Sequence, residues 1–518
     1  CANIANLVLA RSTRTAPDFA VRAAFGAGRW ALLRRSLVET ALLTGAGAAA
    51  GIAVAWFGIR TLRGVVPANV PRGASIALDP AVLAFAAAIA GAAGVLFGLW
   101  PAIRAMRPNI LTVLQDTGRG GSGSRASRRL ADAMVVAEVA LALVLVIGAG
   151  LLIRSFVRLS SVDPGFRTSR VVATDIVLPE TRYPRGAPKT RFYLDLLEQV
   201  RAMPGVESAG AVSVLPMSPL GNDFALDFTI DGLDATSPSE RPRAAYRGVF
   251  RGYFETMGIP VRRGRVFDDF DGRETGPRVA VVNETLARRY FAGVDPIDRR
   301  IRVPMAGDLQ IVGVVGDTRQ GGLGDVPGPQ VYVPYFQLAL QEMQIVALTD
   351  LGAAEMATRM RAAVSRLDPQ LPLVRVSAIE DLVSASVAQP RFNMALVAGL
   401  AIAAALLAAV GVYGVVTYSV TRRTNEIGVR MALGADPSLT FREVVTGALK
   451  VVAVGVVAGC AAAAVLGRWV ESLLFGVPAI DVATYLAAGL TVLILGIVAA
   501  AGPAWRAAGI DPVKAIRR

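Results

Sequence analysis

The side chains able to do chemistry are few, and their types exclude more than they permit. There is no histidine, so triads built on imidazole and the common zinc sites are out of reach. The only lysines are Lys189, Lys450 and Lys514, and none follows a glycine. A phosphate cradle of the form G-x-x-x-x-G-K-[ST] needs its lysine there, so the chain holds no ATP site of that kind. Gly118, Gly120 and Gly123 do spell G-x-G-x-x-G. They lie in an Arg/Ser stretch with no strand before it, whereas a dinucleotide fingerprint requires one. Asp268, Asp269 and Asp271 lack the frame of a calcium loop and are expected to form a solvated turn. No G-x-S-x-G elbow is present. Two features remain. Glu138 sits inside an apolar run, where a carboxylate is a functional candidate by default. It lies about two turns from Arg128 and Arg129, however, and is expected to snorkel or pair near the membrane face. The other feature is a short polar loop, VTRRTNEIGVRMALGA at 420–435.

That loop lies between two apolar runs. Hydrophobic residues make up 53% of the 518-residue chain, with a mean hydropathy of +0.50. They concentrate in segments near the roughly 20 residues a bilayer span needs: 38–58, 80–103, 131–153, 393–418, 444–466 and 481–503, with 1–10 as the tail of another. Residues 155–390 sustain no such run. The net charge is +14, and its arginines gather in 11–35, 104–130, 419–442 and at Arg517 and Arg518. These four pieces alternate to one side, which the positive-inside bias makes the cytoplasm. Residues 59–79, 154–392 and 467–480 are then outside. No aromatics interleave with a basic stripe, so nucleic acid is not an expected partner. Cys1 and Cys460, both in or beside apolar segments, do not form a disulfide framework.

The membrane segments repeat. A shift of 408 residues lays Val21-Arg22, Gly26-Ala27, Gly47, Gly51 and Arg60 on Val429-Arg430, Gly434-Ala435, Gly455, Gly459 and Arg468. A shift of 402 lays Asp79, Pro101-Ala102 and Arg104 on Asp481, Pro503-Ala504 and Arg506. The change of register falls in an outer loop, where length varies freely. The chain starts without an initiator Met, and Cys1 aligns with Ala409. A complete chain is therefore expected to carry one further helix–domain–helix set before Cys1. Gly47/Gly51, Gly94/Gly98 and Gly455/Gly459 are small-xxx-small pairs suited to close helix packing. Within 155–390, KTRFYLDLLEQVRAM at 189–203 has helical spacing and 353–367 carries Met356, Met360, Ala363, Val364 and Leu367 on one face. Strands are expected at VESAGAVSVL, 279–282, 311–315 and 331–333, in a mixed α/β domain of two lobes divided near 220–250 and rejoined before 370.

In loop 420–435, Glu426 and Arg430 stand four apart in the favourable helical order. Val420, Ile427 and Met431 form an apolar face, and Gly434 can end the helix. Pattern alone leaves two readings: a partner-docking helix along the membrane, or a plain amphipathic re-entry turn.

TRRTNEIGVRMALGA followed by an apolar span resembles the hallmark of FtsX-like permeases, the membrane subunits of MacB-type and lipoprotein-release ABC transporters. YFETMGIPVRRGRVF at 253–267, VAVVNETLARRYF at 279–291 with DPIDRRI, and VGVVGDTRQGGL at 312–323 resemble the MacB-like periplasmic core. The duplicated layout is similar to double-length permeases abundant in acidobacteria. The resemblance implies an α-helical polytopic membrane protein with a large mixed α+β periplasmic domain. Residues 1–104 would be the end of a first permease repeat, 105–130 a flexible cytoplasmic linker, 131–153 a span, 154–390 the periplasmic core and 391–518 a second permease domain. It also implies that Arg422, Arg423, Glu426, Ile427, Gly428, Val429, Arg430, Leu433, Gly434 and Ala435 form a coupling helix against a separate cytoplasmic ATPase. That subunit would bind the ATP, leaving this chain with no cofactor and no catalysis of its own. In the first copy, TRTAPDFAVRAAFGAG at 13–28, Pro17, Asp18, Phe19 and Ala20 depart from the pattern. The implied setting is a bacterial inner membrane, in contact with lipid, and the family allows a periplasmic adaptor and an outer-membrane channel as further partners. The implied action is transmission of ATPase motion to the outer domain for export or release of a substrate. The alternative within the family is a regulatory transducer that controls a periplasmic partner without transport.

Overall fold

The computed structural model describes residues 29–63, 79–105, 122–184, 186–218, 225–230, 242–273, 275–303, 306–338, 342–372 and 375–510. Chain contacts divide it into two compact units, residues 1–157 with 390–518, and residues 158–389. The first copy of the coupling segment (13–28), Cys1 and the glycines Gly118 and Gly120 lie outside the described residues.

The described chain begins with helices α1 (Arg29–Arg63), α2 (Pro80–Ala105) and α3 (Ser122–Ser160). The outer unit follows: β1 (Val171–Val177), α4 (Ala187–Arg201), β2 (Val206–Val212), β3 (Ala225–Asp227), β4 (Thr229–Ile230), β5 (Arg243–Val249), α5 (Tyr253–Thr256), β6 (Val261–Gly264), β7 (Val279–Asn283), α6 (Glu284–Tyr290), β8 (Arg300–Val303), β9 (Gly307–Val315), β10 (Gln330–Pro334), β11 (Glu342–Thr349), α7 (Ala353–Leu367), β12 (Arg375–Ala378) and α8 (Ile379–Ser386). Four α-helices close the described part of the chain: α9 (Ala388–Arg422), α10 (Thr424–Ala432), α11 (Pro437–Val470) and α12 (Val482–Ala508).

The outer strands form one mixed sheet in the order β12-β1-β11-β2-β5-β10-β7-β9-β8-β4, with β3 beside β5 and β6 beside β9. Two cores sit along it. The apolar stripe of α4 (Phe192, Leu196, Leu197, Val200) and that of α7 (Met356, Met360, Ala363, Val364) bury one side of β1, β2 and β11. Val282, Leu286, Ile301, Leu309, Ile311 and Val331 build the second, around β7 to β10. The sheet is thinnest between them, where β2 meets β5 through the single pair Val212 and Val249. Two of the motifs quoted above interlock in the second core. The Asn283 side chain accepts the Leu286 amide at 3.1 Å and so caps α6. Its amide nitrogen donates to Asp317 at 2.7 Å, and Asp317 also accepts the Thr285 amide and hydroxyl.

Among the described residues, four helical stretches are long and apolar enough to cross a membrane: Ala131–Ser160, Ala388–Arg422, Pro437–Leu473 and Val482–Ala508. The duplication shows in the helix bounds. Moved by 408 residues, α1 begins on Pro437, where α11 begins; moved by 402, α2 begins on Val482, where α12 begins. The caps agree, since Asp79 accepts the Ala81 amide at 2.8 Å and Asp481 accepts the Thr484 amide at 2.9 Å. Three expectations need correction. Residues 122–130, expected to be flexible linker, are the first turns of α3; the polar Arg/Ser run continues the helix that the apolar segment nucleates. The Asp268–Asp271 turn is not simply solvated. Asp271 is buried, receiving both guanidinium arms of Arg265 and the Asp268 amide. Glu138 does not pair with Arg129: about 14 Å of helix separates the two, and among the described residues its enclosed Oε2 has no hydrogen-bond partner.

Candidate functional site

The site is built from the residues that turn the chain between α9 and α11. Helix α9 ends at Arg422, and α10 starts two residues later with almost no loop. The Arg423 amide still bonds the Val420 carbonyl at 3.1 Å, while the Arg423 carbonyl already accepts the Ile427 amide at 2.8 Å. The far end of α10 closes in a Schellman motif. The Ala435 amide bonds the Arg430 carbonyl and the Gly434 amide bonds the Met431 carbonyl, both at 3.0 Å. Gly434 sits at φ +92, a conformation that opposes any side chain with a Cβ. Two residues on, Asp436 caps α11 by accepting the Ser438 amide at 2.9 Å and hydroxyl at 2.7 Å. The same contacts, the hydroxyl foremost, hold the Asp436 carboxyl below its ordinary range. A nine-residue helix is too short to persist alone in water; caps at one end and a continuous backbone at the other fix it.

The ten residues implied by the resemblance divide into inward and outward groups. Ile427 and Gly428 are buried toward the bundle. Val429 is 47% and Leu433 84% exposed, so two aliphatic side chains project from a polar helix. Arg430 donates to Glu426 at 2.6 Å and to Glu443 at 3.3 Å, and Arg423 lies 3.7 Å from Glu443. Arg422 stacks on Tyr418 one turn back, 5.8 Å from the ring centre. Of the expected apolar face, Ile427 is buried, whereas Met431 and Val420 are half-buried. Glu443, which joins Arg423 and Arg430 to α11, was not singled out from the sequence. Its signal is only a carboxylate in the second turn of the next helix, and nothing in the spacing says that α10 folds back to meet it.

The opposite end of the bundle carries a second fastening that spacing also leaves hidden. Arg154, near the end of α3, pairs with Asp481, whose carboxylate also takes the Thr484 amide and hydroxyl at 2.9 and 2.6 Å. Those contacts, with Thr484 foremost, keep the Asp481 carboxyl below its ordinary range. The Phe475 amide donates to the Ser155 hydroxyl at 2.8 Å. Between the two ends, α3 is the buried spine. Val135, Val139, Leu143 and Ile147 pack among Val412, Val416, Val452 and Val492. Gly455 and Gly459 let α11 approach that spine: an added Cβ would stand 2.8 Å from the Val139 Cβ and 2.9 Å from the Ala140 carbonyl oxygen. The equivalent Gly47 and Gly51 meet nothing within 4 Å among the described residues, and the surroundings of Gly94 and Gly98 are not among those described. Among the described residues no group of acids and cysteines is placed to hold a metal.

Spanning helices, a capped amphipathic helix at the turn between two of them, and a mixed α/β domain between α3 and α9 define a polytopic inner-membrane protein with a large periplasmic domain. Comparison with known families makes this particular. Residues 104–368 match the MacB-like periplasmic core domain, and residues 1–110 with 398–512 match the FtsX-like permease C-terminal domain. The chain therefore belongs to the FtsX-like, MacB-type ABC transporter permeases. It is 30% identical over 290 residues to the "Macrolide export ATP-binding/permease protein MacB" of Bradyrhizobium diazoefficiens, covering 52% of this chain and 43% of that one. It is 27% identical over 277 residues to the "Pyoverdine export ATP-binding/permease protein PvdT" of Pseudomonas aeruginosa, covering 51% and 40%. The chain spans less than half the length of either relative. Among solved structures, the periplasmic region of MacB from Actinobacillus actinomycetemcomitans aligns with a TM-score of 0.29 and 13% identity, over 42% of this chain and 92% of that one.

Proposed function

We propose that this chain is the membrane subunit of an ABC transporter in which α10 docks on a cytoplasmic ATPase and the spanning helices carry its motion to the periplasmic domain, for export or release of a substrate. The observation that carries the reading is the surface of α10. Leu433 and Val429 project from a helix whose flanking charges are tied by ion pairs and whose end is locked by Gly434. An exposed leucine rimmed by charged side chains has the make-up of an interface core. The route for motion is covalent. Helix α9 runs unbroken for 35 residues, about 50 Å, from the end of the periplasmic domain to the start of α10. ATP would be bound and hydrolysed by the partner. The export names carried by the relatives above support transport over pure regulation, and an adaptor and an outer-membrane channel would complete the path.

The test is a charge reversal that leaves the fold alone. Glu426→Arg with Arg430→Glu keeps the intrahelical pair, but it would set a new carboxylate on α10 against Glu443, so Glu443→Gln is added. Exposed pairs of this kind stabilise by only about 0.3–0.5 kcal/mol, and insertion should stay near normal. Like charges facing a partner cost several kcal/mol, so co-purification of the ATPase should fall sharply. Undiminished association with a correctly inserted triple variant would sink the docking assignment.

A further inference from the structure

The motif VGVVGDTRQGGL at 312–323 runs from β9 into the β9–β10 connection, where it meets both segments that lead from the outer unit to spanning helices. On the α3 side it is fastened. The Arg319 amide bonds the Pro164 carbonyl at 3.0 Å. Gly165 sits at φ +83, so close that an added Cβ would run into the Asp317 carbonyl oxygen. The Asp317 carboxylate in turn accepts from Asn283 and Thr285. The chain leaving α3 is therefore anchored to the second core before it enters β1 of the first. On the α9 side the contact is of another kind. Helix α8 lies against β1 and β12 with Ile379 and Leu382 buried, and Val387 alone separates it from α9. Its last residue meets the motif at Gly322, where an added Cβ would stand 3.8 Å from the Ser386 Cβ. The Ser386 hydroxyl donates to Val383 in its own helix at 2.7 Å, and the Gly322 carbonyl accepts the Asp325 amide of its own loop at 3.1 Å. What meets here is carbon against carbon, a contact that can slide without breaking a hydrogen bond. We propose that residues 317–325 are a slip joint: bonded to the exit of α3 and sliding on the end of α8, they let a movement of α9 displace the first core against the second. The narrow β2–β5 junction, the single pair Val212 and Val249, is where that displacement is taken up. The proposal rests on the reading that α9 carries motion outward, and a measurement made without the ATPase keeps the two separable.

Gly322→Cys with Ser386→Cys, in a chain whose Cys1 and Cys460 are replaced by serine, would pin the joint. Gly322 lies outside the left-handed region, and 3.8 Å is the spacing of Cβ atoms in a disulfide. Mass spectrometry of the linked peptide establishes that the bond has formed. In nanodiscs, the ATPase that co-purifies with the oxidised protein should turn over about tenfold more slowly than with the reduced protein, because a conformational step is withheld, and dithiothreitol should restore it. Undiminished turnover in fully cross-linked protein, or no disulfide under mild oxidation, would overturn the joint. Spin labels on the protein alone give the second measurement. Val326→Cys, at the 88% exposed tip of the loop, is paired with Ser384→Cys on α8 or with Ser161→Cys at the exit of α3, both exposed. The shared label cancels the mobility of the tip. The 326–384 distance distribution should be broader than that of 326–161 by about 1–2 Å, the scale of helices shifting at an interface. Equal widths would refute the joint whatever the ATPase does. The broader 326–384 distribution in a protein that captures no ATPase would uphold the joint and count against the docking reading instead.

Discussion

Gly455 and Gly459 give the most direct physical check on how the membrane unit is assembled. At Gly459 an alanine methyl would stand 2.9 Å from the Ala140 carbonyl oxygen and 3.0 Å from Leu143; at Gly455 it would stand 2.8 Å from Val139. The opposing atoms are backbone and β-carbons of a helix whose facing residues are buried, Val139 1% and Leu143 0% exposed. Neither can swing away, so α3 and α11 must separate. Overpacking of this kind costs about 1–3 kcal/mol per site, partly offset by the roughly 1 kcal/mol that alanine gains over glycine in a helix. The double variant Gly455→Ala/Gly459→Ala should lose about 2 kcal/mol, a fall of about 5 °C in Tm on the scale of mid-sized domains. Thermal scanning of detergent-solubilised protein by size-exclusion fluorescence reads this. The repeat-equivalent Gly47→Ala/Gly51→Ala, where no described residue stands within 4 Å of an added methyl, should leave the Tm unchanged or slightly raised. Equal losses from the two double variants would refute the packing argument, because the repeat partners would then be doing the same work.

Topology is checked by cysteine labelling in a background with both native cysteines replaced, Cys1→Ser with Cys460→Ser. Val326→Cys, 88% exposed in the outer domain, should react with an impermeant maleimide in cells whose outer membrane alone is breached, and Leu433→Cys should react only after the inner membrane is opened. Acid should weaken the outer domain through Asp368. The Gln370 amide, then the Tyr183 hydroxyl and Arg182, hold its carboxyl below the usual range. A depressed folded-state value contributes stability above the unfolded carboxyl range, near pH 4, that is lost as pH falls through the folded value. The Tm of Asp368→Asn should therefore fall less between about pH 5 and pH 3 than that of wild type, and identical slopes would show that this carboxylate is not linked to folding.

Much of this architecture is legible in the residues because its signals are local. The α4 and α7 stripes, the Gly434 stop, the Glu426–Arg430 spacing and the repeat each depend on neighbours within a turn or on self-comparison. What is not legible depends on residues brought together from far apart. Glu443 reaches Arg423 and Arg430 only because α10 folds back on α11, and Arg154 finds Asp481 across 327 residues of sequence. The strands β1, β5 and β11 escape the periodic reading because several are buried on both faces, which erases the alternation that betrays a half-exposed strand. The three small-xxx-small pairs look alike in sequence; the contacts distinguish Gly455/Gly459 from Gly47/Gly51, since spacing cannot say whether a partner helix lies opposite.

The docking of α10 is tested most directly by a photo-reactive benzoylphenylalanine placed at Leu433, the most exposed apolar side chain of the turn. Irradiation of intact cells should yield a cross-link that mass spectrometry identifies as an ABC-type ATPase subunit. The same probe at Leu486, exposed on α12 within the span, should not. A correctly inserted Leu433 variant that cross-links only to lipid, or to no ATPase, would contradict the coupling role and return the loop to a plain turn between membrane helices.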